Sequence, residues 1–286
     1  MDKDWTVTRF LRAIVAAFAV ALSACGGGGD GSGPVSPPTA EAAGAVTTSA
    51  LRSQNNGFNY TIQVYVPASY ATGTTTLPAI YVTEGDAPYG NATGGSGAVS
   101  TTPSRFDTFK AVMQRRGTQA ILVGISGTAR RDTDFLLPTA SAYLAFITKE
   151  LAPSIEHQYR ADPTRRALSG LSHGGYFVVA ALVMEGTAGT PSFAYYLSTD
   201  SSFGAHGNVP TYLDYVKQLN ANANPLPTTL FLGGAAMFNG PIATQLYTLL
   251  TQQPHPGFTV LKSIYDTSHV GSDVPAFEEA LTRFFP

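Results

Sequence analysis

From Val46 to the carboxyl terminus, short apolar runs suited to strands alternate with longer stretches of helical spacing. No other feature narrows the fold as much. Strand-like runs separated by helices require a mostly parallel sheet with helices packed on both faces. The opening pair, Val46–Arg52 and Tyr60–Val66, has no helix between its members and reads as an antiparallel start. Further strands are predicted at Leu77–Val82, Ala120–Ile125, Ala167–Leu171, Phe193–Leu197, Thr229–Leu232 and Phe258–Ile264. Helices are predicted at Phe106–Arg116, Ala140–Tyr159, Gly174–Glu185, Tyr212–Leu219, Pro241–Thr251 and Val274–Phe285, with Pro153 expected to kink the longest of them or begin a new turn. No internal repeat or second domain is apparent.

Composition agrees with one sizeable core. Of 286 residues, 44% are hydrophobic and 13% charged, which is not the balance of a disordered chain. The formal net charge of −2 lacks the basic footprint of a nucleic-acid binder. Cys25 is the sole cysteine, so an intramolecular disulfide and a cysteine-ligated zinc site are both excluded. His157, His173, His206, His255 and His269 show no metal-ligand spacing, and neither a metal nor a cofactor is expected.

The first 24 residues carry Lys3, Arg9 and Arg12, then an apolar run from Ala13 to Leu22 and small residues, the layout of a secretory signal. Leu22-Ser23-Ala24-Cys25 resembles a bacterial lipobox, in which the cysteine is acylated and becomes the mature terminus. Residues 25–44 are mostly Gly, Ser, Pro and Ala and read as a flexible tether, with the catalytic domain from 45 to 286. A lipid-anchored monomer at the cell envelope, on the outer membrane and facing the periplasm, is therefore expected.

The chemistry gathers at Gly170-Leu171-Ser172-His173-Gly174, which matches the G-x-S-x-G nucleophile elbow between a predicted strand and a predicted apolar helix. A serine hydroxyl needs exposure and a base to act as a nucleophile, and a sharp turn flanked by small residues supplies the exposure. The backbone N–H of His173 is then the first oxyanion donor. A second is expected from the loop after the third strand, Glu84-Gly85-Asp86, where Gly85 permits a tight bend. His269 lies between the last strand and the last helix, at the same sheet edge as Ser172, and is the expected base. His206 is its competitor, whereas His255 precedes a strand at the wrong edge and is assigned to the surface.

The third triad member is less legible. The loop after Thr229–Leu232 has no carboxylate, and no Asp or Glu occurs between Asp214 and Asp266. Asp200, Asp266 and a neutral Asn239 are candidates, and a Ser–His dyad is the fourth option. Asp200 follows the sixth strand-like run, not the seventh, and Asp is common in turns and caps. That order leans towards a dyad, in which Asp200→Asn costs less than about tenfold in kcat. Tyr89, Tyr176, Phe203, Met237 and Phe238 suggest an apolar or aromatic pocket, with Tyr176 and Phe203 equally readable as core.

Several ordered segments resemble the "Putative esterase" family of α/β-hydrolases, which contains esterase D, enterochelin-type siderophore esterases and mycolyltransferases. They are Leu77–Val82 followed by Glu84-Gly85, Arg130–Phe135 before Pro138, Glu150–Glu156 with Tyr159-Arg160, Arg165–Gly175, and Ser268-His269 before Val274. The resemblance implies the α/β-hydrolase fold, a serine carboxylic-ester hydrolase, and a backbone oxyanion donor at Asp86. It also implies siderophore-type or other small acyl or aryl esters as substrates. An acyltransferase using a sugar or lipid hydroxyl is the alternative, and an inactive binding protein is a third. Two departures stand out: the acid usual after the seventh strand is missing, and Trp5 is the chain's only tryptophan, inside the leader.

Overall fold

Eight strands form a single sheet in the order β1-β2-β4-β3-β5-β6-β7-β8. They are β1 (Ala45–Arg52), β2 (Asn59–Val66), β3 (Leu77–Val82), β4 (Ile121–Ile125), β5 (Ala161–Leu171), β6 (Tyr195–Thr199), β7 (Thr229–Ala235) and β8 (Thr259–Tyr265). β1 pairs with β2, and β2 with β4, antiparallel; every other pairing is parallel. The computed structural model describes residues 44–89, 102–203, 209–221, 224–252 and 255–285. These all fall within one unit, Ala40–Pro286, whereas Met1–Thr39 lies outside the described residues. The expected leader, Cys25, nearly all of the expected tether, and His206 therefore lie outside them too.

The pleat explains why both faces are covered. Along β3, Ala79 and Tyr81 point to one side and Ile80 and Val82 to the other, all buried. One face carries Tyr60, Val64, Tyr81, Val123 and Leu168 against the central helix α5 (His173–Ala188), whose residues from Tyr176 to Val183 are all buried. A helix apolar all round has to be covered on every side. The other face presents Ile80, Val82, Leu122, Leu197 and Phe231 to α1 (Arg105–Arg116) and α8 (Asp273–Phe284). There Phe109 of α1 stacks on Phe277 of α8, with centroids 3.7 Å apart and planes 7° from parallel.

Local signals set the helix ends. Ser104 caps α1 by accepting from the Asp107 N–H, Arg115 and Arg116 sit in its last turn, and Gly117 ends it in the left-handed region at φ 64°. The expected helix 140–159 is broken into α3 (Ala140–Phe146), a wide π turn over Ile147–Leu151, and α4 (Ala152–Gln158). Pro153 falls in the first turn of α4, directly after the π turn, where a new helical segment begins. A short helix α2 (Arg131–Asp134) precedes these, and α6 (Val209–Ala221) and α7 (Gly240–Thr251) complete the set.

The strand order places the site. The chain passes from β3 to β4 on one side, then returns to the other side of β3 for β5. Where an α/β sheet reverses its direction of growth, a crevice opens beyond the carboxyl ends of the strands. Here the segments entering that crevice are the one after β3, which holds Glu84, and the one after β5, which holds Ser172.

The stacked Phe109–Phe277 pair is the main aromatic bond between α1 and α8. Phe277→Ala is expected to cost about 3–5 kcal/mol, the usual figure for removing a buried aromatic ring, measured as a lowered urea midpoint at unchanged slope.

Candidate active site

Ser172 sits between β5 and α5 at φ 60°, ψ −116°. Among the described residues, the non-glycine residues at positive φ are Glu84 (51°), Ser172 (60°) and Asp200 (39°). All three follow the carboxyl ends of strands at this edge. Such backbone costs about 1–3 kcal/mol per residue and persists only where neighbours hold it. Gly170 makes the elbow possible, since a Cβ there would collide with the Gly174 carbonyl. The bend after β3 falls at Glu84, not at Gly85 as the sequence suggested. Gly85 is needed instead for close approach, because its Cβ would lie 2.9 Å from the Gly124 Cα.

His269 follows β8, and its Nδ1 lies 2.5 Å from Asp200 Oδ2. Asp200 is fully buried. Its Oδ1 accepts from the Ala235 N–H (2.7 Å) and the Asn239 N–H (3.1 Å), and its own N–H donates to the Gly233 carbonyl (2.8 Å). The Asn239 side chain donates to the Asp200 carbonyl at 2.9 Å. Asn239 thus braces Asp200 and leaves the imidazole to it, while Asp266 is exposed at the end of β8. Of the candidates Asp200, Asp266 and Asn239, Asp200 is the one placed against the imidazole. β6 and β7 are neighbours, so an acid after β6 reaches the loop after β8 once positive φ turns it that way.

Ser172 and His269 line one cavity of about 240 Å³ together with Glu84, Tyr89, Arg131 and Val270. Burial raises the Glu84 carboxyl above its ordinary range, against the opposing pull of Arg131 and Arg105. Arg131 Nε stands 3.3 Å from Glu84 Oε1. The exposed Asp86 directs its carboxylate to the Gly127 N–H (2.9 Å) and Thr128 Oγ1 (3.1 Å), fixing the loop after β3 to the one after β4. The His173 N–H opens α5, and its imidazole is 3.6 Å from Asp132 Oδ1.

Of the expected pocket aromatics, Tyr89 lines the cavity, whereas Tyr176 and Phe203 are core. Met237 and Phe238 are exposed, and the Phe238 ring centroid is 6.2 Å from that of His269. His255 is buried, not at the surface: its Nδ1 is 3.2 Å from the Asn224 carbonyl and its ring meets Phe258 edge-on.

Sequence reasoning missed Arg105. It is buried at the start of α1 and makes five hydrogen bonds from its five N–H groups. Nε and Nη2 grip Asp273 (2.7 and 3.1 Å), Nη1 reaches the Thr83 and Ser169 carbonyls (2.8 and 3.4 Å), and Nη2 also reaches Ser169 Oγ (3.0 Å). Tyr89 adds a bond to Asp273 Oδ2 at 2.9 Å. Burial alone would lower the Arg105 guanidinium, but the Asp273 carboxylate holds it raised. The partners lie 168 residues apart, and no local pattern announces them.

Residues 53–188 match the family model described as "Putative esterase". Over that stretch, slightly less than half of its length, the chain resembles this family. Among curated proteins, it is 27% identical over 163 residues to the uncharacterized protein YbbA of Bacillus subtilis (strain 168), covering 50% of this chain and 60% of that protein. Among solved structures it resembles an IroE-like serine hydrolase from Shewanella oneidensis, with a TM-score of 0.67 and 21% identity over 84% of this chain and 79% of that one. It also resembles the siderophore hydrolase EstB from Aspergillus nidulans, with a TM-score of 0.68 and 19% identity over 87% and 96%. At these identities the likeness shows the α/β-hydrolase fold.

Removing one partner of a buried ion pair strands the other charge. Asp273→Ala is expected to cost about 3–5 kcal/mol, while Arg105→Met combined with Asp273→Leu recovers most of that loss, as read from chemical denaturation of both variants.

Proposed function

We propose that the chain hydrolyses small acyl or aryl carboxylic esters, siderophore-type esters among them, through an acyl-enzyme on Ser172. The observation carrying this is the pair of reactive groups facing one cavity: a serine on a strained elbow, and an imidazole braced by a buried carboxylate. The siderophore hydrolases among its structural relatives support the substrate class, and a cavity of about 240 Å³ suits a small ester.

The chemistry follows from these positions. Ser172 Oγ attacks the ester carbonyl carbon while its proton passes to His269 Nε2. The carbonyl π electrons move onto oxygen, where the His173 N–H and the Asp86 N–H receive the developing charge. Collapse breaks the ester C–O bond, and the departing alkoxide takes the proton from His269. Water then repeats the sequence on the acyl-enzyme, releasing the acid and restoring Ser172. Asp200 holds Nδ1 protonated so that Nε2 is free to accept, and it stabilises the imidazolium that forms.

The Leu22–Cys25 pattern supports acylation at Cys25 and attachment of a monomer to the outer membrane, facing the periplasm. Among the described residues, no helix is long and apolar enough to cross a membrane. Cys25→Ala is then expected to move the protein from the membrane fraction to an unprocessed or soluble form. Unchanged fractionation and mass would count against the anchor.

The triad is tested on p-nitrophenyl butyrate. Ser172→Ala should remove turnover without unfolding the domain, and Asp200→Asn should lower kcat by about 10⁴-fold, as loss of an orienting acid does. A loss below about tenfold for Asp200→Asn, beside an inactive His269→Ala, would leave a dyad in place of the triad.

A further inference from the structure

The group in contact with the nucleophile's oxygen is a second hydroxyl: Ser202 Oγ lies 2.9 Å from Ser172 Oγ. Ser202 belongs to the segment after β6, two residues beyond Asp200, and is half-buried. Its place is tightly determined. The Ser172 N–H donates to the Thr199 carbonyl (3.0 Å), and the Ser202 N–H donates back to the Ser172 carbonyl (3.2 Å). The same segment is fastened to α5 where Ser198 Oγ donates to the Gly175 carbonyl at 3.0 Å. Ser198 Oγ also lies 2.5 Å from Ser201 Oγ. Two backbone bonds and a side-chain bond therefore hold the Ser202 hydroxyl beside the reacting atom.

Proton counting gives that hydroxyl a direction. A serine has one O–H proton and two lone pairs. For attack, Ser172 must give its proton to His269 and one lone pair to the carbonyl carbon, which leaves the second lone pair to accept. Ser202 keeps its own proton throughout and can donate to that lone pair. We propose that Ser202 is a further catalytic residue, whose O–H donates to Ser172 Oγ and stabilises the charge that gathers there as its proton passes to His269 and, in deacylation, as the C–O bond breaks. This rests on Ser172 being the nucleophile.

The bond matters most when Ser172 Oγ is most basic: while its proton is passing to His269 in acylation, and when it leaves the tetrahedral intermediate in deacylation. The ester oxygen of the acyl-enzyme between them is a weak acceptor. Ser202 should thus act on kcat and not on KM. Hydrogen bonds to charged groups carry about ten- to hundredfold in an equilibrium or rate.

The test uses the full-length chain and its Ser202→Ala, Ser202→Thr and Ser172→Ala variants. It measures kcat and KM on p-nitrophenyl butyrate, the rate of labelling by a fluorophosphonate probe, and the melting temperature. Ser202→Ala should lower kcat about ten- to hundredfold, with KM within about twofold and the melting temperature unchanged. Labelling should slow in parallel because it occurs at the same oxygen. Ser202→Thr, which keeps the hydroxyl, should recover activity to within about threefold. A Ser202→Ala variant within about twofold of wild type overturns the proposal, and so does a change confined to KM. A Ser202→Thr variant as slow as Ser202→Ala, both with lowered melting temperatures, also overturns it. If wild type neither turns over the ester nor labels, the role of Ser172 falls first; a labelled wild type beside an unaffected Ser202→Ala removes Ser202 alone.

Discussion

One buried guanidinium joins three of the segments from which the site is made. Arg105 opens α1, yet its hydrogen bonds go elsewhere: to Thr83 before the loop that holds Glu84, to Ser169 in the strand that delivers Ser172, and to Asp273 at the start of the helix after His269. A planar fork with five donors in fixed directions suits this, since it fixes angles as well as distances. Lysine, with three rotating donors on a flexible stem, would hold the same charge without fixing the same geometry. Tyr89 then links this clamp to the cavity itself, bonding Asp273 while lining the space beside Ser172.

Such a clamp is not explained by stability. Two charges taken out of water lose hydration of the same order as their mutual attraction, and apolar replacements of similar volume are often neutral or better. What an apolar pair cannot supply is direction. The Asp273 carboxylate is gripped by two nitrogens of one plane, so the first turn of α8, and with it the loop from Asp266 to Ser272, is set against β3 and β5. Beneath it, Arg105 lies 4.6 Å over the Phe109 ring, which in turn stacks on Phe277. The ion pair and the aromatic stack therefore act on the same two helices: the stack presses them onto the sheet, and the pair orients them.

How far the chain could be read in advance follows from the same distinction. All eight strands were legible in position, because apolar runs, alternation and closing turn residues are local signals, although β5 begins at Ala161, six residues before the expected run. The elbow was legible because Gly170, Ser172 and Gly174 are neighbours along the chain. His269 was reached through chain order and sheet edge. The acid was underrated because counting strands treats β6 and β7 as distinct places, although parallel neighbours stand only about 4.8 Å apart. Which of the two loops turns towards the imidazole is decided by backbone conformation, here φ 39° at Asp200, and no local pattern foretold it. His255 was misread for a related reason: a ring with one nitrogen near a carbonyl can be buried anywhere, and that carbonyl belongs to Asn224. Arg105 and Ser202 depend wholly on contacts between distant segments.

The surroundings of Asp200 explain how a carboxylate is accommodated in a fully buried position. A buried polar group without partners loses its hydration and gains nothing in return. Asp200 Oδ1 instead accepts two backbone N–H groups, from Ala235 and Asn239, and Oδ2 faces the His269 Nδ1. Bonds of this kind replace the lost hydration with fixed dipoles. They also divide the work between the two oxygens, one held by the β7–α7 loop and the other presented to the imidazole. Asn239 completes the arrangement by donating to the Asp200 carbonyl, which steadies the residue in its left-handed backbone state. A loop with no carboxylate of its own thereby becomes the cradle for one supplied by the neighbouring strand, and the seventh strand serves the acid without carrying it.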